Sequence, residues 1–243
     1  MSNFARATAA VLAITIAAWP RAAAADFTSD LAAAMAPYYG ALVASTVGDA
    51  ESTQRNLVIF AVRWTRVAAG RATAPEPLAT DPDWPAMVAT IDRFIARAQE
   101  LVRARNLHDA HREIEGVRLA LLTMRARHGL QTLDDRLTEY HESMERVIAR
   151  ASLYNEIILA DEDYAELSKD LAQAGGLWTR VEGQAGAVAD DKDWTNAAVR
   201  SADARRELAR LIAARDDAAI MRAAEMMKAA YLDLLLVLAR ATR

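Results

Sequence analysis

The chain has 243 residues with a net charge of −4, 53% hydrophobic and 26% charged side chains, and no cysteine. A mildly acidic body repels phosphates, which argues against nucleic acid as a partner. The lack of thiols excludes disulfides, thiolate metal sites and covalent haem attachment through Cys-x-x-Cys-His.

Residues 1–25 read as a signal for export. Met1 to Arg6 is a short start with one positive charge, Ala7 to Ala18 is apolar, and Arg21 to Ala25 ends in small residues suited to a signal peptidase. The run is shorter than the roughly 20 apolar residues that span a bilayer. Cleavage is expected near Ala25, giving a periplasmic protein of net charge −6 once Arg6 and Arg21 are lost. No membrane span is expected in the mature chain, because Leu232 to Ala239 is short and is broken by Asp233.

Eight helices follow, at about 27–47, 49–70, 83–105, 107–127, 131–158, 161–186, 192–213 and 215–241. Asp49 and Asp161 are placed as acidic N-caps, where a carboxylate accepts from free backbone amides and suits the helix dipole. Pro75, Pro77 and Pro82 make 72–82 an extended linker, and Gly129 ends the fourth helix at positive φ. Ala110, Ile114, Val117, Leu121 and Met124 form a core stripe at 3-and-4 spacing, as do Ile220, Ala224, Met227, Tyr231, Leu234 and Leu238. Nothing alternates with period two, so no strands are expected.

The mature part says the same thing twice. Trp64-Thr65-Arg66 returns as Trp178-Thr179-Arg180, an offset of 114. Asp81-x-Asp83-Trp84 returns as Asp191-x-Asp193-Trp194, Ala104-Arg105 as Ala214-Arg215, and Arg112 and Glu115 as Arg222 and Glu225, all at an offset of 110. Such a repeat predicts architecture before any single residue does. The fold class expected is all-α: a signal peptide (1–25), then two up-down-up-down four-helix bundles in tandem, at 26–130 and 131–243.

This plan resembles the periplasmic cytochrome b562-like four-helix bundles. The likeness lies in a bundle of about one hundred residues, a Pro-rich link between its second and third helices, and a last helix with Asp109-Ala110 and Glu115-Gly116-Val117-Arg118. The second half repeats this with Glu225-Met226-Met227-Lys228, so the likeness covers 26–128 and 139–240 separately. The family holds haem b between a Met early in the first helix and a His late in the fourth. The resemblance therefore implies Met35 and His128 as haem ligands.

All four histidines lie between 108 and 141. If Gly129 marks an antiparallel turn, residues whose numbers sum to about 258 face each other, so Glu115 is level with a point between His141 and Glu145, and His111 is close by. His141 shares a stripe with Leu137, Met144, Ile148 and Ala151 and points inward with them. His111, Glu115, His141 and Glu145 have the donor types that hold a divalent metal ion in bundle cores. The same residues, with Arg112, Arg118 and Arg146 near them, also suit an interhelical salt-bridge network. His108 falls in the first turn of its helix and is expected in solvent.

No phosphate loop, His-Glu-x-x-His helix, nucleophile elbow or paired Glu-x-x-His set is present, so no enzyme is expected. Two functions stand open. One is a non-catalytic periplasmic binding protein holding a metal ion or small ligand. The other is a structural or interaction module that meets a periplasmic protein partner.

Overall fold

A computed structural model of the chain describes residues 27–153 and 160–241. The expected signal segment lies outside the described residues. Every regular element among them is helical: α1 (Phe27–Thr46), α2 (Ala50–Ala69), α3 (Trp84–Arg103), α4 (Leu107–Arg127), α5 (Leu133–Ser152), α6 (Asp161–Gln184), α7 (Lys192–Ala214) and α8 (Asp217–Ala241). None is long and apolar enough to cross a membrane.

Contacts close two rings. Helix α1 packs on α2, α2 on α3, α3 on α4 and α4 back on α1, and α5 to α8 do the same among themselves. Two further contacts, α1 with α8 and α4 with α5, join the rings. The sequence explains which helices stand in the middle. From Ala34 to Tyr39 and from Ala41 to Ser45 every residue of α1 is buried, as are Leu234, Leu235, Val237, Leu238 and Ala239 on α8. A helix apolar all round has no face for water and is stable only when covered on several sides.

The repeated words form repeated local structure. Asp81 Oδ1 accepts from the Asp83 amide at 2.9 Å, and Asp191 Oδ1 from the Asp193 amide at 2.7 Å, so each Asp-x-Asp-Trp element starts a helix. Arg105 and Arg215 both sit at positive φ, +59° and +54°, in the turns that lead into α4 and α8. Trp64, Trp84, Trp178 and Trp194 are all buried. At Gly116 a Cβ would lie 2.7 Å from the outer edge of the Phe94 ring, so the ring of α3 rests over the bare backbone of α4 and would have to shift for any larger residue.

Three local expectations change. The 72–82 linker is not simply extended; it holds 3₁₀ turns at Gly70–Thr73 and Leu78–Thr80, with Arg71 donating to the carbonyls of Ala79 and Asp81 at 2.9 and 2.8 Å. Asp161 is the first helical residue of α6, not its cap, and Asp163 accepts from the Ala160 amide instead. Helix α5 starts at Leu133, because Thr132 and Asp135 form a capping box that fixes the boundary. Its expected end at 158 lies outside the described residues. Asp49 caps α2 as expected, accepting from the Ser52 amide at 2.9 Å, and Gly129 ends α4 at φ +66°.

Candidate functional site: a charged cluster between the two rings

His111, Glu115, His141 and Glu145 meet. Glu115 Oε1 lies 3.3 Å from His111 Nε2 and 3.4 Å from His141 Nε2, and His141 Nε2 lies 3.4 Å from Glu145 Oε1. They meet because α4 and α5 run side by side from the Gly129 turn, the juxtaposition the numbering sum of 258 anticipates.

They do not meet around a vacant centre. Arg118 reaches in from α4, donating to Glu115 at 2.7 Å, to the Tyr231 hydroxyl at 2.9 Å and to His141 Nδ1. Lys228, from α8, sits 2.9 Å from Glu145. Helix α1 closes the cluster: Ser45 bonds His111 Nδ1 at 2.8 Å, and Tyr38 donates to the Ile114 carbonyl at 3.1 Å. The adjoining void, lined by His111, Glu115, Arg118, His141, Lys228 and Tyr231, measures about 10 Å³, room for one water.

Two carboxylates and two obligate cations balance before either imidazole is counted. A guanidinium cannot give up its proton, so His141 Nδ1 must accept from Arg118, and the ring proton resides on Nε2, facing Glu115 and Glu145. Burial and the Arg118 charge both push the His141 pKa below its usual 6.5. Burial would raise the Glu115 carboxyl, yet the His111 hydrogen bond and the Arg118 charge bring it down to about 2. Glu145 is likewise brought to about 2 against its burial, by His141 and Lys228.

Among the described residues no group of three or more His, Cys, Asp or Glu side chains is set to hold a metal ion. A divalent cation added to the balanced cluster would sit beside Arg118 and Lys228 with two charges uncompensated.

The residues implied by the cytochrome resemblance do not fit a haem in this arrangement. Met35 is buried against a void of about 10 Å³, too small for a macrocycle. His128 Nε2 is bonded to Asp81 Oδ2 at 2.9 Å, with Arg127 on the same carboxylate. His108 is exposed, as expected.

A second buried pair, which sequence reasoning missed, lies at the α4–α5 turn. Arg125 donates through Nε and Nη2 to both oxygens of Asp135 at 2.5 to 3.0 Å, and Asp135 also accepts from the Thr132 amide and hydroxyl at 2.9 Å. Its only sequence signal was the Thr132-x-x-Asp135 capping pattern. Comparison with known proteins finds no matching family, no matching curated protein and no matching solved structure.

Proposed function

We propose that the chain is an exported, periplasmic, non-catalytic interaction module built from two tandem four-helix bundles, with the His–Glu–Arg cluster as the clasp between them. The contact pattern supports the tandem reading. Exchanging α1 with α5 and α4 with α8 turns the α1–α4 contact into α5–α8 and the α1–α8 contact into α5–α4, and all four occur. The clasp itself carries traces of this exchange, since Arg118 and Lys228 are equivalent at the 110-residue offset.

The observation that carries the functional reading is the Arg118 guanidinium among the four candidate ligands, bonded to Glu115 and His141. A site that already holds its own cations works as a fastener rather than a receptor. The competing reading, capture of a metal ion, draws its support from the convergence of two imidazoles and two carboxylates, and requires Arg118 to leave the cluster.

Calorimetric titration with zinc, copper and iron, on the wild type and on His141→Ala, separates the two. The fastener reading expects no stoichiometric binding in either protein, and a stability loss of about 2 kcal/mol in Glu115→Ala from the charged hydrogen bonds removed. One-to-one binding by the wild type that disappears in His141→Ala would overturn it in favour of metal capture.

A further inference from the structure

The outer faces of α2 and α6 can be compared directly, because the 114-residue offset that pairs Trp64 with Trp178 also aligns their buried residues. Thr53, Leu57, Phe60, Trp64 and Val67 are buried on α2; their equivalents Leu167, Leu171, Ala174, Trp178 and Val181 are buried on α6. The exposed positions align equally well, but their chemistry does not. Val58, Ile59 and Val62 stand 47%, 44% and 59% exposed, whereas the same positions of α6 hold Ala172, Gln173 and Gly176. Val47, just ahead of α2 and 66% exposed, corresponds to Asp161.

The second repeat therefore carries small or polar residues at the positions where the first is apolar and exposed. On the first repeat the same face keeps β-branched apolar residues, which costs solubility and adds nothing to the core beneath. Of the nine exposed large hydrophobic residues among the described ones, four belong to this helix and the turn before it, a clustering that single scattered residues would not produce.

The face also has the spacing of a helix-pairing seam. Glu51, Arg55, Val58, Val62, Thr65 and Ala69 succeed one another at four, three, four, three and four residues, and all are exposed. That is the repeat which lets one helix lie along another. Its two ends carry opposite net charge: Asp49, Glu51 and Arg55 at the start of α2, Arg63 and Arg66 toward its finish. Arg66 makes no ion pair among the described residues, while Glu51 is bound only by Arg55 of its own helix.

We infer that this face joins two copies of the chain through an antiparallel α2–α2 contact about a two-fold axis. Antiparallel pairing about that axis sets Val58 of one copy beside Val62 of the other, twice, Arg55 level with Thr65 and Glu51 level with Ala69, so that Glu51 can turn from Arg55 to Arg66 of the second copy at both ends. Parallel pairing would oppose Glu51 to Glu51 and Arg66 to Arg66. A two-fold contact uses one patch twice, so a face whose two ends differ in sign of charge suits it. One helix pair buries little area, at or below the roughly 1,200 Å² lower bound of stable interfaces, so the dimer is in exchange with monomer. The inference goes beyond the interaction reading and does not depend on how the clasp handles metal; the titration above and the experiment below fail independently.

Sedimentation velocity on the purified chain over a concentration series through the micromolar range tests it. The expected result is a weight-average mass that climbs from one chain toward two. Val62→Glu holds the protein monomeric with unchanged helix content and melting temperature, since that side chain lies in solvent in the monomer. Glu51→Arg and Arg66→Glu each weaken association about tenfold, the effect of one lost charge pair per interface end. The double variant regains most of it, because each end again faces its opposite. A wild type that stays monomeric throughout, or a dimer indifferent to Val62→Glu, overturns the inference. A double variant no better than either single variant overturns the antiparallel arrangement.

Discussion

Two buried polar assemblies hold the halves of this molecule together, and they are built on different principles. At the α4–α5 turn, Asp135 is wholly buried, receives both nitrogens of the Arg125 fork and accepts the helix-capping bonds of Thr132 as well. Every acceptor there is used. Midway along the same helices the clasp spreads over four elements, keeps Glu115 and Glu145 partly exposed, and leaves Arg118 Nε without a hydrogen-bond partner. The contrast separates a strut from a clasp: in the first a single carboxylate meets every donor aimed at it, while the second contains a buried imidazole. Buried pairs contribute least when replaced whole and cost most when half removed, so the strut is where a single substitution does the greatest damage.

Asp135→Ala is accordingly expected to have the largest effect, a loss of about 3–5 kcal/mol from a guanidinium left buried without its carboxylate. The bonds that the Asp135 carboxylate accepts from the Thr132 amide and hydroxyl are lost at the same time. Urea unfolding followed by circular dichroism measures it. The double variant Arg125→Met with Asp135→Leu should recover more than half of the loss, because the pair is removed whole and neither partner is left facing an empty place. A single variant as stable as the wild type would show that water reaches Arg125 and that the strut is not buried in solution.

The two assemblies differed in how far they could be read from the chain. His111, Glu115, His141 and Glu145 were placed together by one glycine turn and a numbering sum, since neighbouring antiparallel helices constrain each other locally. Lys228, Tyr231 and Ser45 were beyond that reasoning. They come from α8 and α1, and their approach depends on how the two rings pack, a relation no local spacing encodes. Arg118 was visible as a neighbour of Glu115, but its position among the ligands follows from the length of its side chain and from Tyr231 opposite. The repeat and the eight helices were legible because tryptophans, caps and turns act within a few residues of themselves. The all-round apolar run of α1 was also in plain view, and it marks a helix between two packed layers rather than a bundle's outer wall.

The clasp responds to mild acid. In the folded protein His141 binds its proton less readily than in the unfolded chain, because burial and Arg118 disfavour the imidazolium. As pH falls through the ordinary value near 6.5, the unfolded state therefore takes up more protons than the native state, and stability falls. Glu115 and Glu145, held at about 2 against 4.5 when unperturbed, add a second decline as pH drops from about 4.5 toward 2. The same groups face one another from α4, α5 and α8, with Ser45 on α1, so the two steps belong to one network. The difference in urea midpoint between wild type and His141→Asn, followed from pH 7.5 to 3, should change as pH falls below about 6.5, and change again below about 4.5, where the His141 contact that helps hold Glu145 down is missing from the variant. A difference that is flat between about 6.5 and 4.5 would place the His141 titration outside the cooperative unfolding of the clasp.

The smallest effect compares two helix starts. Thr132 accepts from the Asp135 amide and Asp135 returns a bond to the Thr132 amide, so the α5 capping box is complete. At the start of α6 only half of the pattern exists: Asp163 accepts from the Ala160 amide, but the alanine at the cap position has no side-chain oxygen to accept in return. Ala160 already has the extended backbone of a cap residue, φ −92° and ψ 167°, close to the φ −116° and ψ 170° of Thr132. Ala160→Thr should thus stabilise the protein by about 0.5–1 kcal/mol, and Thr132→Ala should destabilise it by about 1–2 kcal/mol. The second change costs more because Thr132 also donates to Asp135, the acceptor on which the strut depends. Thermal melts of the two variants give the comparison directly. Equal and opposite shifts would mean that the Thr132 hydroxyl acts only as a cap, and that the strut holds Asp135 without it.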